Sequence, residues 1–286
     1  MTSSETRGLR DIIMKSLDQA SEALKALRLT RRYFGNRVMM RYLVNLPSAV
    51  REDALVSAFH KVGTCEMKYR DLTLRFRVAN PLFVWEIIEK GCYSGREGFA
   101  IQPDWTVVDA GANVGVFSLY AASLARRGKV ISLEPNLVLF NFLSENVHEN
   151  GFSNVICVNA ALRHVDGSTY FGGIPSGGSI MADYARKVEA VTVDCHSVQG
   201  LIDTFGLQTI DLLKMDIEGA EFDVFQETGF LSRVSRIAME VHPKYGDIHN
   251  IKLILEKAGF EVDVQTAFLS SELSYLYALK PAGDLR

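Results

Sequence analysis

The segment that most constrains this chain runs from Thr106 to Gly115, Thr-Val-Val-Asp-Ala-Gly-Ala-Asn-Val-Gly. A short apolar strand closes on Asp109, a turn of small residues follows, and the apolar run Val116-Phe117-Ser118-Leu119-Tyr120-Ala121-Ala122 opens a helix. A strand, a glycine turn and a helix start, in that order, let a ligand approach the backbone closely. Downstream, the pattern predicts a helix to about 127, a strand over 129–134, a helix over 135–150 stopped by Gly151, and a strand over 155–158. After an interruption it predicts strands over 210–216 and 235–241, with helices over 218–227 and 247–258. Such alternation predicts an α/β fold, a doubly wound Rossmann-like parallel sheet with helices on both faces. Two closing strands, over 261–268 and 273–279, have no helix between them, and so short a connection forces an antiparallel pair.

Upstream the chain reads as a helical preface and then a hairpin. Leu9, Ile13, Leu17, Ala20, Leu24 and Leu27 recur at helical spacing, and Pro47 opens a second helix that Gly63 ends. The division expected is 1–64 as an N-terminal helical extension, acting as lid, oligomer element or packing, and 65–286 as the catalytic domain. Leu72, Leu74, Phe76 and Val78 alternate with polar residues as a half-buried strand does, with Arg70-Asp71 turning a β-hairpin before it. Asn80-Pro81 then reads as a helix start and Gly91 as its stop. The glycine-rich stretch 166–193 reads as a β-excursion beside the ligand crevice, with residues 172–183 as a loop bearing on the acceptor.

Composition narrows the class. At 286 residues and 48% hydrophobic the chain is an ordinary globular one, and a net charge of −3 gives no reason to expect nucleic acid. Arg28, Arg31, Arg32, Arg37 and Arg41 share a stretch without acidic residues, read as a solvated helical face. The four cysteines, Cys65, Cys92, Cys157 and Cys195, make no zinc or redox spacing and suit a reducing compartment. No stretch approaches the ~18 apolar residues a membrane span needs, and charges at Glu5, Arg7, Arg10 and Asp11 argue against a secretory signal. A cytoplasmic protein is expected, with no membrane partner and with a homo-oligomer through the N-terminal helices as an option.

Ligands of open α/β sheets sit outside the carboxyl ends of the strands. Those ends here are 109–115, Glu134, 159–161, 216–218 and 240–242, and several carry carboxylates. Glu134 follows Gly111 by 23 residues, close to the ~20 expected for a carboxylate on ribose hydroxyls. Asp109, however, occupies the first glycine position of a dinucleotide turn, where its charge repels a pyrophosphate. It favours instead a ligand bearing a cation, and S-adenosyl-L-methionine carries a sulfonium, an ammonium and a ribose diol. The residues therefore select a methyl donor over NAD.

Val108 to Leu119, Leu-Glu-Pro-Asn at 133–136 and Leu-Lys-Met-Asp-Ile-Glu-Gly-Ala-Glu at 213–221 together resemble the FkbM-type class I methyltransferases. Met-Glu-Val-His at 239–242 fits the same pattern, and the likeness covers roughly residues 69–280. It implies methylation dependent on S-adenosylmethionine, usually of a hydroxyl on a sugar or natural product, and a mostly parallel seven-stranded sheet with one antiparallel strand. Carried over by position, Asp109, Gly111, Asn113 and Gly115 shape the site for the methionine portion. Glu134 holds the ribose, with Asn136 beside it, and Ala160 lines the adenine slot.

Catalysis is assigned to Asp216, Glu240 and His242 at neighbouring strand ends, as candidates for the general base that an alcohol nucleophile gains from. His242 has the ordinary pKa best matched to neutral pH, and Asp216 is the alternative, either as base or as partner of the cofactor's ammonium. Glu218 and Glu221 read as first-turn acids that complement a helix start. Asp216, Glu218, Glu240 and His242 together offer oxygen and nitrogen ligands of the kind that hold a diol on Mg²⁺ in some O-methyltransferases, but the spacing demands no metal and none is expected. The acceptor expected is a hydroxylated small molecule. N- or C-methylation, a nicotinamide oxidoreductase and a non-catalytic interaction module stand as competing readings.

Overall fold

The computed structural model describes residues 21, 24–36, 38–40, 64–77, 80–171, 191–268 and 270–281. The helix expected over 47–63, most of the one expected over 9–27 and the loop at 172–183 lie outside these residues. Twelve strands are found among the described residues. β1 (Cys65–Tyr69) and β2 (Leu72–Phe76) form the expected hairpin. β3 (Thr106–Ala110), β4 (Lys129–Leu133), β5 (Val155–Val158), β9 (Leu212–Met215) and β10 (Arg236–Val241) are parallel. They join β11 (Glu261–Thr266) and β12 (Ser274–Leu279) in a seven-stranded sheet of order β11-β12-β10-β9-β3-β4-β5. Only β12 runs against the rest, paired antiparallel to both β10 and β11. This is the Rossmann-like arrangement expected from the sequence.

The inner strands of the sheet are covered on both faces, which is why they are mostly apolar, whereas the edge strand β11 is largely exposed. On β3, Val108 and Ala110 face one core cluster with Leu213, Met215 and Met239, while Val107 faces another with Phe117, Val130 and Tyr277. The winding runs from β3 outward through β4 to β5, then returns to the other side of β3 at β9. The reversal therefore falls between β3 and β9, and their carboxyl ends mark the crevice.

Residues 24–36 are helical, but the buried side is rotated from the one the leucine spacing suggests. Ala26, Leu29, Thr30 and Tyr33 are buried, whereas Leu24 is 55% exposed. Leu29, Tyr33 and Phe34 pack with the hairpin residues Met67, Leu74 and Phe76, so contact with the hairpin overrides the local leucine pattern. Asn146, buried in the helix Leu137–Asn150, ties that hairpin to the sheet. Its amide accepts from Arg77 N at 2.7 Å and donates to Val114 O at 2.7 Å.

Two helices differ from expectation. The helix after β9 is only Glu221–Val224, because Ile217 to Ala220 are consumed by a turn in which Glu218 has φ 56° and Gly219 φ 104°. A helix Val198–Phe205, capped by Ser197, was not anticipated, since the glycine-rich pattern ahead of it hid its start. The excursion itself is a small sheet of order β6-β8-β7, made of β6 (Ala161–Leu162), β7 (Gly167–Phe171) and β8 (Val191–His196). Among the described residues no helix is long and apolar enough to cross a membrane.

Candidate active site

The turn after β3 is built from positions that only certain residues tolerate. Gly111 has φ 75°, and a Cβ there would lie 1.8 Å from the backbone oxygen of Asp216. Gly115 has φ 90° and starts the helix Val116–Leu124, with Leu143 pressed against the space a side chain would need. Asn113 takes φ 53°, a left-handed value that asparagine accepts more readily than most residues. The result is a bare backbone ledge between the ends of β3 and β9.

Glu134 follows β4 and stands beside this ledge, 5% exposed. Asn113 N donates to Oε2 at 2.8 Å and Asn136 N donates to Oε1 at 2.9 Å. Burial pushes the carboxyl up to about 7, although those two backbone donors oppose the shift. Each oxygen keeps acceptor capacity for one more donor, which is what the two hydroxyls of a ribose supply. Asn136 is the N-cap of the helix Leu137–Asn150, its side chain taken by Val138 N and Leu139 N. Its backbone, and not its amide, serves Glu134. Asn159 donates to the Glu134 carbonyl at 2.8 Å, and Ala160, 1% exposed, lies beyond it at the end of β5.

Asp109 requires a correction. Its side chain is fully buried, 3.0 Å from Lys214 Nζ, its register partner on β9, and it accepts from Ser118 Oγ at 2.5 Å. The cation that this carboxylate favours is an internal lysine. Lys214 in turn donates to the carbonyls of Gly111 at 2.8 Å and Ala110 at 3.3 Å, so the pair braces the turn from beneath. Burial alone would lower the Lys214 ammonium, but Asp109 and Asp216 outweigh it and hold it above its ordinary value.

The second half of the site is formed by the ends of β9 and β10. Asp216, Glu240 and His242 come together there as the sequence suggested, and Glu218 and Glu221 join them. His242 is buried, with Nδ1 3.0 Å from Glu221 Oε1 and Nε2 3.3 Å from Glu218 Oε2 and 3.8 Å from Glu240 Oε1. Burial disfavours its charge, yet the carboxylates of Glu218 and Glu221 more than compensate and raise the imidazole to about 11. At neutral pH the ring is thus an imidazolium and not the base its ordinary pKa suggested. Glu221 is likewise no exposed first-turn acid: it is fully buried and also accepts weakly from Ile217 N at 3.3 Å.

Three residues that the sequence did not single out complete the wall. Tyr93 donates to Asp216 Oδ2 at 3.2 Å, and Tyr275 of β12, opposite Glu240, donates to Glu86. Glu86 sits in a π-helical turn, Trp85–Glu89, and is 6% exposed. Burial pushes it up to about 7, with Asp216 adding to the shift. Glu240 is held well above the ordinary carboxylate range by burial, then by Asp216 and Glu86. A lone carboxylate inside the apolar run Phe83-Val84-Trp85-Glu86-Ile87-Ile88 was the available signal for Glu86. The tyrosines carried none, because Tyr275 is placed by the pairing of β12 with β10 and Tyr93 meets Asp216 across 123 residues of sequence.

The site therefore pairs a bare ledge and a ribose-ready carboxylate with an acidic wall, and these residues fit a methyl donor that carries a sulfonium, an ammonium and a diol. A profile of the methyltransferase FkbM domain matches residues 109–262. The chain is 24% identical to the 31-O-demethyl-FK506 methyltransferase FkbM of Streptomyces tacrolimicus, covering 69% of this chain and 89% of that one. It is 27% identical to Methyltransferase 1 of Beauveria bassiana, over 57% and 74% of the two chains. It is also 29% identical to the AMB antimetabolite synthetase AmbE of Pseudomonas aeruginosa, over 68% of this chain but only 11% of the synthetase. The glycine ledge, Glu134 and the Asp216–Glu221 turn all lie inside the matched segment, and the chain belongs to the FkbM methyltransferase family, with S-adenosyl-L-methionine as its cofactor.

Proposed function

We propose that the chain transfers the methyl group to a hydroxyl of a sugar or natural-product small molecule. The observation that carries this reading is Glu240, a carboxyl whose side chain is 14% exposed at the end of β10 and which is held well above its ordinary range by desolvation and by Asp216. An alcohol must lose its proton as its oxygen is methylated, and a carboxylate of raised pKa is a better acceptor for that proton than an ordinary one. The Streptomyces relative is, by its name, a methyltransferase of an O-demethyl compound, which supports this reading. When bound, the cofactor supplies an electrophilic methyl on sulfur, transferred in line, so the protein's main task is alignment.

In this reading Gly111 keeps the ledge free of side-chain bulk, and the Asp109–Lys214 pair holds the ledge's carbonyls in place. Glu134 fixes the ribose. Asp216, oriented by Tyr93, faces the positive end of the cofactor. Glu240 takes the acceptor's proton, and the His242 imidazolium offsets the charge of the carboxylates around it.

The test has two steps. Calorimetry of the purified chain is expected to show micromolar or tighter binding of S-adenosylhomocysteine and none of NAD; tight NAD binding alone would sink the proposal. Methyl-labelled cofactor is then offered to panels of polyols, sugars and aminated analogues. Labelled ethers support O-methylation, and labelled amines without ethers overturn it in favour of N-methylation.

A further inference from the structure

We propose that Asp216, Glu218 and His242 form a binding site for a divalent metal cation of the Mn²⁺ or Mg²⁺ class. The site lies just past the carboxyl ends of β9 and β10, where the proposed function puts the acceptor. One carboxylate oxygen from each acid and one ring nitrogen lie within 4.8 Å of one another. Ligands on opposite sides of an ion bound at ~2.0–2.6 Å are separated by about that span, so one ion can reach all three with small side-chain shifts.

The ligand set is mixed, two oxygens and a nitrogen; because His242 is an imidazolium at neutral pH, the ion binds by displacing the Nε2 proton to solvent while Nδ1–H stays on Glu221. Glu221 Oε1 is 3.0 Å from Nδ1, which fixes the ring and turns Nε2 toward Glu218. A buried carboxylate behind an imidazole whose far nitrogen faces other acids is the outer-shell arrangement that orients metal-bound histidines.

A second observation points the same way. Glu221 is fully buried, and its other oxygen, Oε2, has no hydrogen-bond partner. Glu240 lies 3.8 Å from Nε2, and Glu86 and Asp216 add their charge to it. Among the described residues the cations acting on these carboxylates include His242, Lys214 and, at Glu86, Lys25, and Lys214 is engaged with Asp109 and two carbonyls. A dication that replaces the Nε2 proton adds one net positive charge among these acids and leaves the Glu221–Nδ1 contact in place. Carboxylate oxygens suit Mg²⁺ and Mn²⁺, and the single imidazole favours Mn²⁺ of the two. An ion there presents its open positions to the crevice, where a hydroxylated acceptor could be held.

The test needs no acceptor, so it stands apart from the O-methylation proposal. Chelator-treated protein is titrated with Mn²⁺ and the free ion is followed by electron paramagnetic resonance. About one Mn²⁺ per chain is expected, with affinity reduced at least tenfold in both Glu218→Gln and His242→Ala. The exposed Glu145→Gln serves as control and should bind as the parent does. Melting curves and S-adenosylhomocysteine binding on the same samples show that each variant is folded with its cofactor site intact. No Mn²⁺ uptake at millimolar concentration, or uptake by the folded Glu218→Gln and His242→Ala proteins equal to that of the parent, overturns the site.

Discussion

At the scale of single residues the charges are decisive, and their roles differ from their first appearance. Asp109 and Lys214 are an internal pair, 0% and 3% exposed, and removing one partner strands the other. Lys214→Met is therefore expected to cost ~3–5 kcal/mol in urea unfolding, and adding Asp109→Asn should recover much of that loss. Glu134 makes a prediction about pH. Its carboxyl rises to about 7 on folding, so the stability linked to its proton is complete below about 4.5 and is lost as pH rises through 7. Unliganded protein should melt progressively lower between pH 5 and 8, and Glu134→Gln should flatten part of that fall. Ribose hydroxyls donate to the ionised form, so affinity for S-adenosylhomocysteine should rise across the same interval. Glu134→Ala should weaken that affinity by at least ~10-fold at pH 8, since a charged acceptor of two hydrogen bonds is lost. These roles were only half legible in the chain. A carboxylate at a strand end announces a charged site, but the register that sets Asp109 opposite Lys214 belongs to the assembled sheet.

At the scale of elements, the glycine turn is where sequence and structure agree most closely. Gly111 and Gly151 both have positive φ, yet only Gly111 has backbone in the way of a Cβ, whereas nothing lies within 4 Å at Gly151. Gly111→Ala should cost at least ~2 kcal/mol and depress cofactor binding, whereas Gly151→Ala should cost only about 1 kcal/mol of backbone strain. Differential scanning calorimetry of the two variants separates steric blockage from conformational strain. The parallel strands and their order were readable because apolar runs alternated with helix signals at short spacing. The four-residue helix after β9 was not, because Glu218 and Gly219 depart from helical backbone for the sake of the site, and a propensity pattern registers only acids near a helix start.

At the scale of the whole molecule, the acidic wall of the crevice is assembled from distant parts of the chain. Tyr275 of β12 bonds to Glu86, 189 residues earlier, and Tyr277 donates to the Cys92 carbonyl at 2.6 Å, 185 residues earlier. Removing the first contact with Tyr275→Phe leaves the Glu86 carboxylate buried without its donor, a loss of ~1–3 kcal/mol measurable by denaturant titration. None of this long-range pairing is visible in local periodicity, which explains why Glu86, Tyr93 and Tyr275 escaped the sequence reading while Asp216 and Glu240 did not. β12 also has a consequence for biosynthesis. It inserts between β10 and β11, yet it follows every other strand of the sheet in sequence. A nascent chain can therefore form the glycine ledge and the Glu134 corner well before it can close the acidic wall. A ribosome-arrested chain stopped short of Ser274 carries every acid of that wall but lacks Tyr275 and the strand that pairs with β10, leaving an open sheet edge beside the crevice for which chaperones would compete until translation delivers the remaining strand.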